Sequence, residues 1–198
     1  MADEPDQGWR GYYEATAGRP PRPTLLSALD RFPPGEHHAV DLGCGDGRDT
    51  IELLRRGWSV IAIDSAAVAL ERLAARPDLP SGAQLTTLCG KFEDAPWPAV
   101  DLVNASFALP LCPPDAFPAL WQKITASLRA DGRFAGQLYG ERDSWASDPA
   151  MTILSAVRAR ELFAAYEIEL FDEEESDAVT PRGKAKHWHI FHVVARKR

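Results

Sequence analysis

Cysteine is scarce in this 198-residue chain: Cys44, Cys89 and Cys112 are the whole set, and no two are spaced C-x-x-C. An odd, scattered set in apolar stretches suits reduced thiols better than a disulfide or zinc framework, and no metal is expected. Long apolar runs are missing too. Without about 18 consecutive apolar residues, no membrane-spanning helix is expected. The opening Met1-Ala2-Asp3-Glu4-Pro5-Asp6 is acidic, the reverse of a basic leader with an apolar core behind it. A cytoplasmic setting with no membrane partner follows as the expectation. Positive charge is in the minority, 22 Lys and Arg against 29 Asp and Glu for a net −7. That balance gives no footprint for a phosphate backbone, so nucleic acid is not an expected partner. No internal repeat or low-complexity segment divides the chain. What is present is 45% hydrophobic content, enough for one domain over residues 1–198 with a sizeable core.

The most informative stretch is Val40-Asp41-Leu42-Gly43-Cys44-Gly45-Asp46-Gly47. An apolar approach followed by glycines at alternate positions ends a strand and opens a helix, whose first N–H groups are free to meet a charged small molecule. A dinucleotide fingerprint G-x-G-x-x-G, counted from Gly43 and Gly45, requires glycine where Arg48 stands. The spacing is instead acid-x-Gly-x-Gly-x-Gly. About 20 residues beyond the loop, the apolar strand 58–63 ends at Asp64. An acid there is placed to accept from the two hydroxyls of a ribose. Ser65 is available to cap the next helix, which leaves Asp64 spare for a ligand.

In chain order, residues 1–8 are polar and expected to be mobile. Trp9, Tyr12 and Tyr13 follow, ahead of Gly18-Arg19-Pro20-Pro21, and either cap the core or close as a lid over a ligand. Leu25, Leu26 and Leu29 predict a helix over 24–32, so residues 1–35 form a lid with a flanking helix. Strands are expected at 38–42, 58–63, 83–89, 100–105 and 133–139, separated by helices at 48–56, 66–75, after 113–115 and at 150–163. These make up a core of residues 36–163. Strands 166–171 and 187–195 have no helix between them and must run antiparallel. The polar connection between them, Asp172 to Asp177 and then Arg182, Lys184 and Lys186, reads as a solvated loop. Residues 164–198 thus end the domain as an antiparallel pair.

Asp41, Gly43, Cys44, Gly45 and Gly47 resemble motif I of the class I S-adenosylmethionine-dependent methyltransferases. With Asp64, Asn104-Ala105-Ser106-Phe107 and Lys186-His187-Trp188-His189, the resemblance covers roughly residues 9–197 and looks like the small bacterial tellurite-resistance-like and methyltransferase-domain proteins. It implies a doubly wound seven-stranded α/β sheet in the order 3-2-1-4-5-7-6, strand 7 antiparallel, and methyl transfer from S-adenosylmethionine to a small-molecule nucleophile. The alternative is a protein that binds the cofactor without methylating. The implied cofactor residues are Asp41, Gly43, Cys44, Gly45, Gly47, Asp64, Ser65, Lys91, Phe92, Glu93, Asn104 and Ala105. Lys91 departs from the acidic residue many relatives carry, which passes the adenine amino contact to a backbone carbonyl, Glu93 or Asp94. Phe92 lies either on the adenine ring or in the core. Asn104-Ala105-Ser106-Phe107 lacks the two prolines of nucleobase amino methyltransferases, so that chemistry is not expected. For the acceptor, Tyr12, Tyr13, Arg19, Phe107, Tyr139 and Trp145 form the expected pocket, and His187 and Asp143 are the candidate bases. A soft thiol or chalcogen acceptor would need no base. A monomer or homodimer is expected.

Overall fold

The computed structural model describes residues 5–198, with side chains from Trp9 onward. The expectation of mobility for residues 1–8 falls partly on residues 1–4, which lie outside the described residues. From Pro5 the chain is helical: α1 spans Pro5–Thr16 and α2 spans Pro23–Leu29. Strands β1 (His38–Leu42), β2 (Ser59–Asp64), β3 (Leu85–Cys89) and β4 (Val100–Ala105) follow, with α3 (Thr50–Arg55) and α4 (Ala67–Ala74) interleaved. The second half contains α5 (Phe117–Ser127), β5 (Leu128–Gly140), β6 (Ile153–Leu154), α6 (Ala156–Glu161), β7 (Tyr166–Val179) and β8 (Ala185–Lys197).

The strands form one sheet in the order β3-β2-β1-β4-β5-β8-β7, with β6 attached to β5. Strands β1 to β5 pair in parallel, and β8 runs antiparallel to both β5 and β7. This is the expected 3-2-1-4-5-7-6 path with one short strand inserted. The central strands carry apolar side chains on both faces because helices cover both. Val40, Leu42, Val103 and Phe134 pack into one layer with Leu120, Ile124 and Phe163. Ala39, Leu102 and Ala135 face the other layer with Leu25, Ile51 and Leu53. Burying a side chain such as Phe134 or Leu102 is worth about 1.5–3 kcal/mol. No helix among the described residues is long and apolar enough to cross a membrane.

Three expectations about the elements are corrected. Residues 150–163 are not one helix: Ile153 and Leu154 extend beside Tyr139 and Gly140, and α6 starts only after Ser155, whose hydroxyl accepts from the Arg158 N–H. The fifth strand begins earlier than residue 133, through a register shift between Val100 and Leu102 and a left-handed Asp131 at φ 63°. The acidic connection is strand rather than loop up to Val179. Its carboxylates alternate across the ladder and meet histidines on β8: Glu173 with His189 at 2.9 Å, Glu175 with His187 at 3.1 Å and Glu174 with His192 at 2.9 Å. Hydrogen-bonded cross-strand pairs stabilise a sheet where a bare charge run would not.

Candidate active site

The loop after β1 is shaped by its own packing. A Cβ on Gly43 would fall 2.6 Å from the Cβ of Ala108, and one on Gly47 would fall 2.2 Å from a Leu73 methyl carbon. Gly45, at φ 57°, turns its N–H onto Asp64 Oδ2 at 2.8 Å. Asp64 Oδ1 accepts from the Ala66 N–H at 2.9 Å, so Asp64 itself braces the start of α4 and Ser65 does not cap it. The sequence reading had left Asp64 spare. Each of its oxygens retains one further acceptor site, because a carboxylate offers about four. Burial raises its pKa.

Asp41 is less available. Thr50 Oγ1 donates to its Oδ2 at 2.6 Å and Asn104 Nδ2 to its Oδ1 at 2.9 Å. Beside it lies Asp49, equally buried, which accepts from the Arg22 N–H at 2.8 Å, from Ser106 Oγ at 2.5 Å and from Asn104 Nδ2 at 3.2 Å. Asn104 thus bridges two acids, and Ala105 is wholly buried. Desolvation first, and the neighbouring Asp49 charge second, push Asp41 up to about 7. The sign follows from linkage. An unfolded Asp titrates near 3.9, so between about pH 4 and 7 the folded chain holds a proton that the unfolded chain has released. This stabilisation is complete below the lower value and disappears as pH rises through 7. Scanning calorimetry from pH 8 to 5 should show the wild-type Tm rising more steeply than that of Asp41→Asn. Parallel curves would mean that Asp41 is ionised in the fold at neutral pH.

Two spaces lie at this end of the sheet, with Tyr12 and Arg22 common to both walls. The smaller, about 60 Å³, is bounded by Gly43, Gly45, Asp49, Ser106 and the ring of Tyr13. Tyr13 packs on Ala66, Val68 and Ala69, and a Cβ on Gly45 would touch its ring carbon at 3.1 Å. Arg48 also lines this space. Its Nε donates to Pro20 O at 2.5 Å, while its Nη1 is buried with no hydrogen-bond partner among the described residues.

The larger space is a cleft of about 820 Å³ walled by Trp9 and Tyr12 of α1, Phe107, Tyr139, Trp145 and Trp188. Arg22 borders both spaces, its guanidinium 4.2 Å above the Phe107 ring. Phe107 is held at φ 57°, costly for an aromatic residue, and its N–H donates to Gln137 Oε1 at 3.0 Å.

The expected acceptor residues Tyr12, Arg19, Phe107, Tyr139 and Trp145 all line the cleft, whereas Tyr13 lines the smaller space. Gly43, Cys44, Gly45 and Asp41 border the smaller space as well. Lys91, Phe92 and Glu93 border neither. Phe92 packs on the core under Gly43, and Lys91 is exposed.

Neither candidate base reaches the cleft. His187 projects from the opposite face of β8, both ring nitrogens engaged by Asp177 and Glu175. Asp143 is buried beneath Lys186, bonded to its Nζ and to the N–H groups of Trp145 and His189. The Lys186 ammonium in turn sits 3.9 Å from the Trp145 ring centroid, 4.3 Å from Trp188 and 5.1 Å from Tyr139. Asp49, Arg22 and Gln137 had no role in the sequence reading, Arg48 entered it only as the residue that breaks the dinucleotide fingerprint, and Trp188 only within the run Lys186-His187-Trp188-His189. Strand alternation puts His192 on the face opposite His187 and His189, and one of these three near the crevice was a candidate base.

Comparison with known proteins agrees with this geometry. Residues 39–132 match the family described as Methyltransferase domain. The carboxy-S-adenosyl-L-methionine synthase of Citrifermentans bemidjiense is 30% identical over 102 residues, 48% of this chain and 41% of the synthase, so the chain spans less than half of that relative's length. TehB from Haemophilus influenzae superposes with TM-score 0.79 at 14% identity, over 94% of this chain and 66% of that one. The 1,6-didemethyltoxoflavin-N1-methyltransferase of Burkholderia thailandensis, solved with its substrate and S-adenosylhomocysteine, gives TM-score 0.62 at 24% identity over 96% of this chain and 80% of its own. The sheet order is that of the fold these methyltransferase structures share, and the family match takes in the glycine loop and residues 39–132, just under half of the chain.

Proposed function

We propose that the chain binds S-adenosylmethionine at the glycine loop and transfers its methyl group, by in-line displacement, to a small molecule held in the aromatic cleft. The observation that supports this reading is the adjacency of the two spaces, a glycine-loop cradle and an 820 Å³ cleft that share Tyr12 and Arg22 as walls. The residues present fit the cofactor. Gly45 leaves room that a Cβ would fill, the open acceptor sites of Asp64 suit ribose hydroxyls, and the unpartnered Arg48 Nη1 suits a carboxylate. The acids around the loop, Asp41, Asp46, Asp49 and Asp64, suit a cation. When bound, the sulfonium supplies an already activated methyl group, so the protein's part is to position the acceptor and exclude water. Phe107, Tyr139 and Trp188 would hold it by apolar contact.

Calorimetry tests the cofactor half. S-Adenosylhomocysteine should bind and NAD should not. Asp64→Ala should weaken the former by about 1–3 kcal/mol, the scale of hydrogen bonds to a charged group. Arg48→Met should weaken S-adenosylhomocysteine yet spare 5′-methylthioadenosine, which lacks the amino-acid end. Tight NAD binding with no response to either nucleoside would sink the assignment.

A second reading has one specific support: the synthase that resembles residues of this chain is named for making a modified S-adenosylmethionine, not for methylating. Incubation with methyl-labelled cofactor and a metabolite extract separates the two. Label leaving the nucleoside supports methyl transfer, and label retained in an altered nucleoside supports the other chemistry.

A further inference from the structure

His192 and Glu174 meet on the wall of the cleft, with His192 Nε2 2.9 Å from Glu174 Oε2. The tautomer is set by what surrounds the ring. The Phe107 N–H must meet an acceptor, so Gln137 presents its Oε1 there and turns its amide nitrogen toward Thr24 at 2.8 Å and toward His192 Nδ1 at 3.5 Å. With a donor facing Nδ1, the ring proton is on Nε2 and donates to Glu174. Nδ1 therefore carries the lone pair. A carboxylate behind one imidazole nitrogen makes the other a better proton acceptor, and it stabilises the imidazolium once formed.

The cations of the cleft narrow the ligand. Four of the six aromatic rings that wall the cleft are already faced by the chain's own cations. Arg22 lies over Phe107, and Lys186 lies among Tyr139, Trp145 and Trp188. A cationic acceptor would meet like charge at these rings. A flat neutral molecule meets apolar walls, and negative charge that develops on it meets Arg22.

We propose that His192, held by Glu174, is the general base of this site, and that the acceptor is a planar aromatic molecule with an acidic O–H or N–H group. The proposal rests on the methyl-transfer reading above. In the step, the acceptor's X–H group takes the place of the long 3.5 Å contact from Gln137 Nε2, its X–H bond breaks and the proton goes to His192 Nδ1. The electron pair left on X forms the new bond to the transferred methyl carbon, while the C–S pair returns to sulfur as the neutral thioether. The imidazolium then loses its proton to water. The titratable and charged groups that line the cleft with this ring are Glu174 and Asp172 from β7, Tyr139 from β5, Tyr12 from α1, Arg22 and Arg19 from the segment between α1 and α2, and Arg182 and Lys184 from the turn between β7 and β8. The two carboxylates favour protonation of the histidine and oppose ionisation of the acceptor, the cations do the reverse, and burial keeps the Tyr139 hydroxyl neutral.

The test uses 4-nitrophenol, whose phenolate absorbs where the phenol does not, with the whole protein and no cofactor. Saturable binding is expected. The midpoint of the bound phenolate absorption should lie about one pH unit lower with wild-type protein than with His192→Phe. Glu174→Gln should move it partway back, because the histidine loses its brace while keeping its place. Equal midpoints in wild type and His192→Phe would overturn His192 as the base, and failure of 4-nitrophenol to bind would overturn the aromatic acceptor. S-Adenosylhomocysteine calorimetry on the same samples reports on the cofactor reading separately. If His192→Phe misfolds, His192→Gln keeps the comparison.

Discussion

Gly45→Ala is expected to reduce S-adenosylhomocysteine affinity by at least about 100-fold, a loss of about 2.8 kcal/mol, while Gly57→Ala leaves affinity within about twofold. The two positions share one backbone problem and differ in everything else. Gly45 has φ 57° and Gly57 has φ 80°, so an alanine at either is strained by about 1–2 kcal/mol. At Gly57, the turn after α3, none of the described residues lies within 4 Å of the added carbon. Strain alone should therefore lower its Tm by a few degrees. At Gly45 the added carbon reaches the Tyr13 ring at 3.1 Å, fills the approach to the loop and tilts the N–H that Asp64 accepts. Calorimetric binding and melting of both variants decide the matter. If Gly57→Ala loses as much affinity as Gly45→Ala, the glycine loop acts through stability and not through contact with the nucleoside.

How far the sequence could be read depended on whether a residue's role was local. The loop of Gly43, Gly45 and Gly47, the strand tips at Asp41 and Asp64 and the terminal antiparallel pair follow from spacing and apolar runs, and the structure places them as read. Side chains whose partners come from distant segments were not legible. Asn104 has suitable chemistry for a ligand, yet it bridges Asp41 and Asp49, 63 and 55 residues away. Ser65 is a good cap by type, but Asp64 already occupies the Ala66 N–H. The run Asp172 to Asp177 looked like solvated loop because its compensating histidines lie on β8 and Arg142 in the turn after β5. His187 and His192 show the same limit within one strand. Alternation separated their faces, but which face met the cleft depended on the β5 and β7 neighbours that pair with β8.

Deleting residues 1–16 is expected to leave a cooperatively melting domain, with S-adenosylhomocysteine associating faster, dissociating faster still, and bound about tenfold more weakly. The space between the glycine loop and Tyr13 is about 60 Å³, whereas small-molecule sites occupy about 300–1,000 Å³. A nucleoside can therefore enter only if Tyr13, and with it α1, moves off Gly45. The rest of the fold permits this. Tyr13 belongs to a small cluster with Ala66, Val68, Ala69, Trp9 and Tyr12, separate from the two layers of the main core. Beyond Gly18 the chain is pinned again, by Arg48 on Pro20 O and by the Arg22 N–H on Asp49, so movement is confined to the helix and its elbow. A segment that must open before binding slows entry, and one that closes afterward slows exit more, since Trp9 and Tyr12 then wall the cleft and exclude water. Stopped-flow binding of S-adenosylhomocysteine by the truncated chain measures both rates. Should truncation disturb the sheet, Tyr13→Ala removes the obstructing ring while keeping the helix. Rates unchanged in both variants would reduce Trp9, Tyr12 and Tyr13 to a structural cap, and entry to the glycine loop would then have to come by movement of Phe107 and Arg22 from the cleft side.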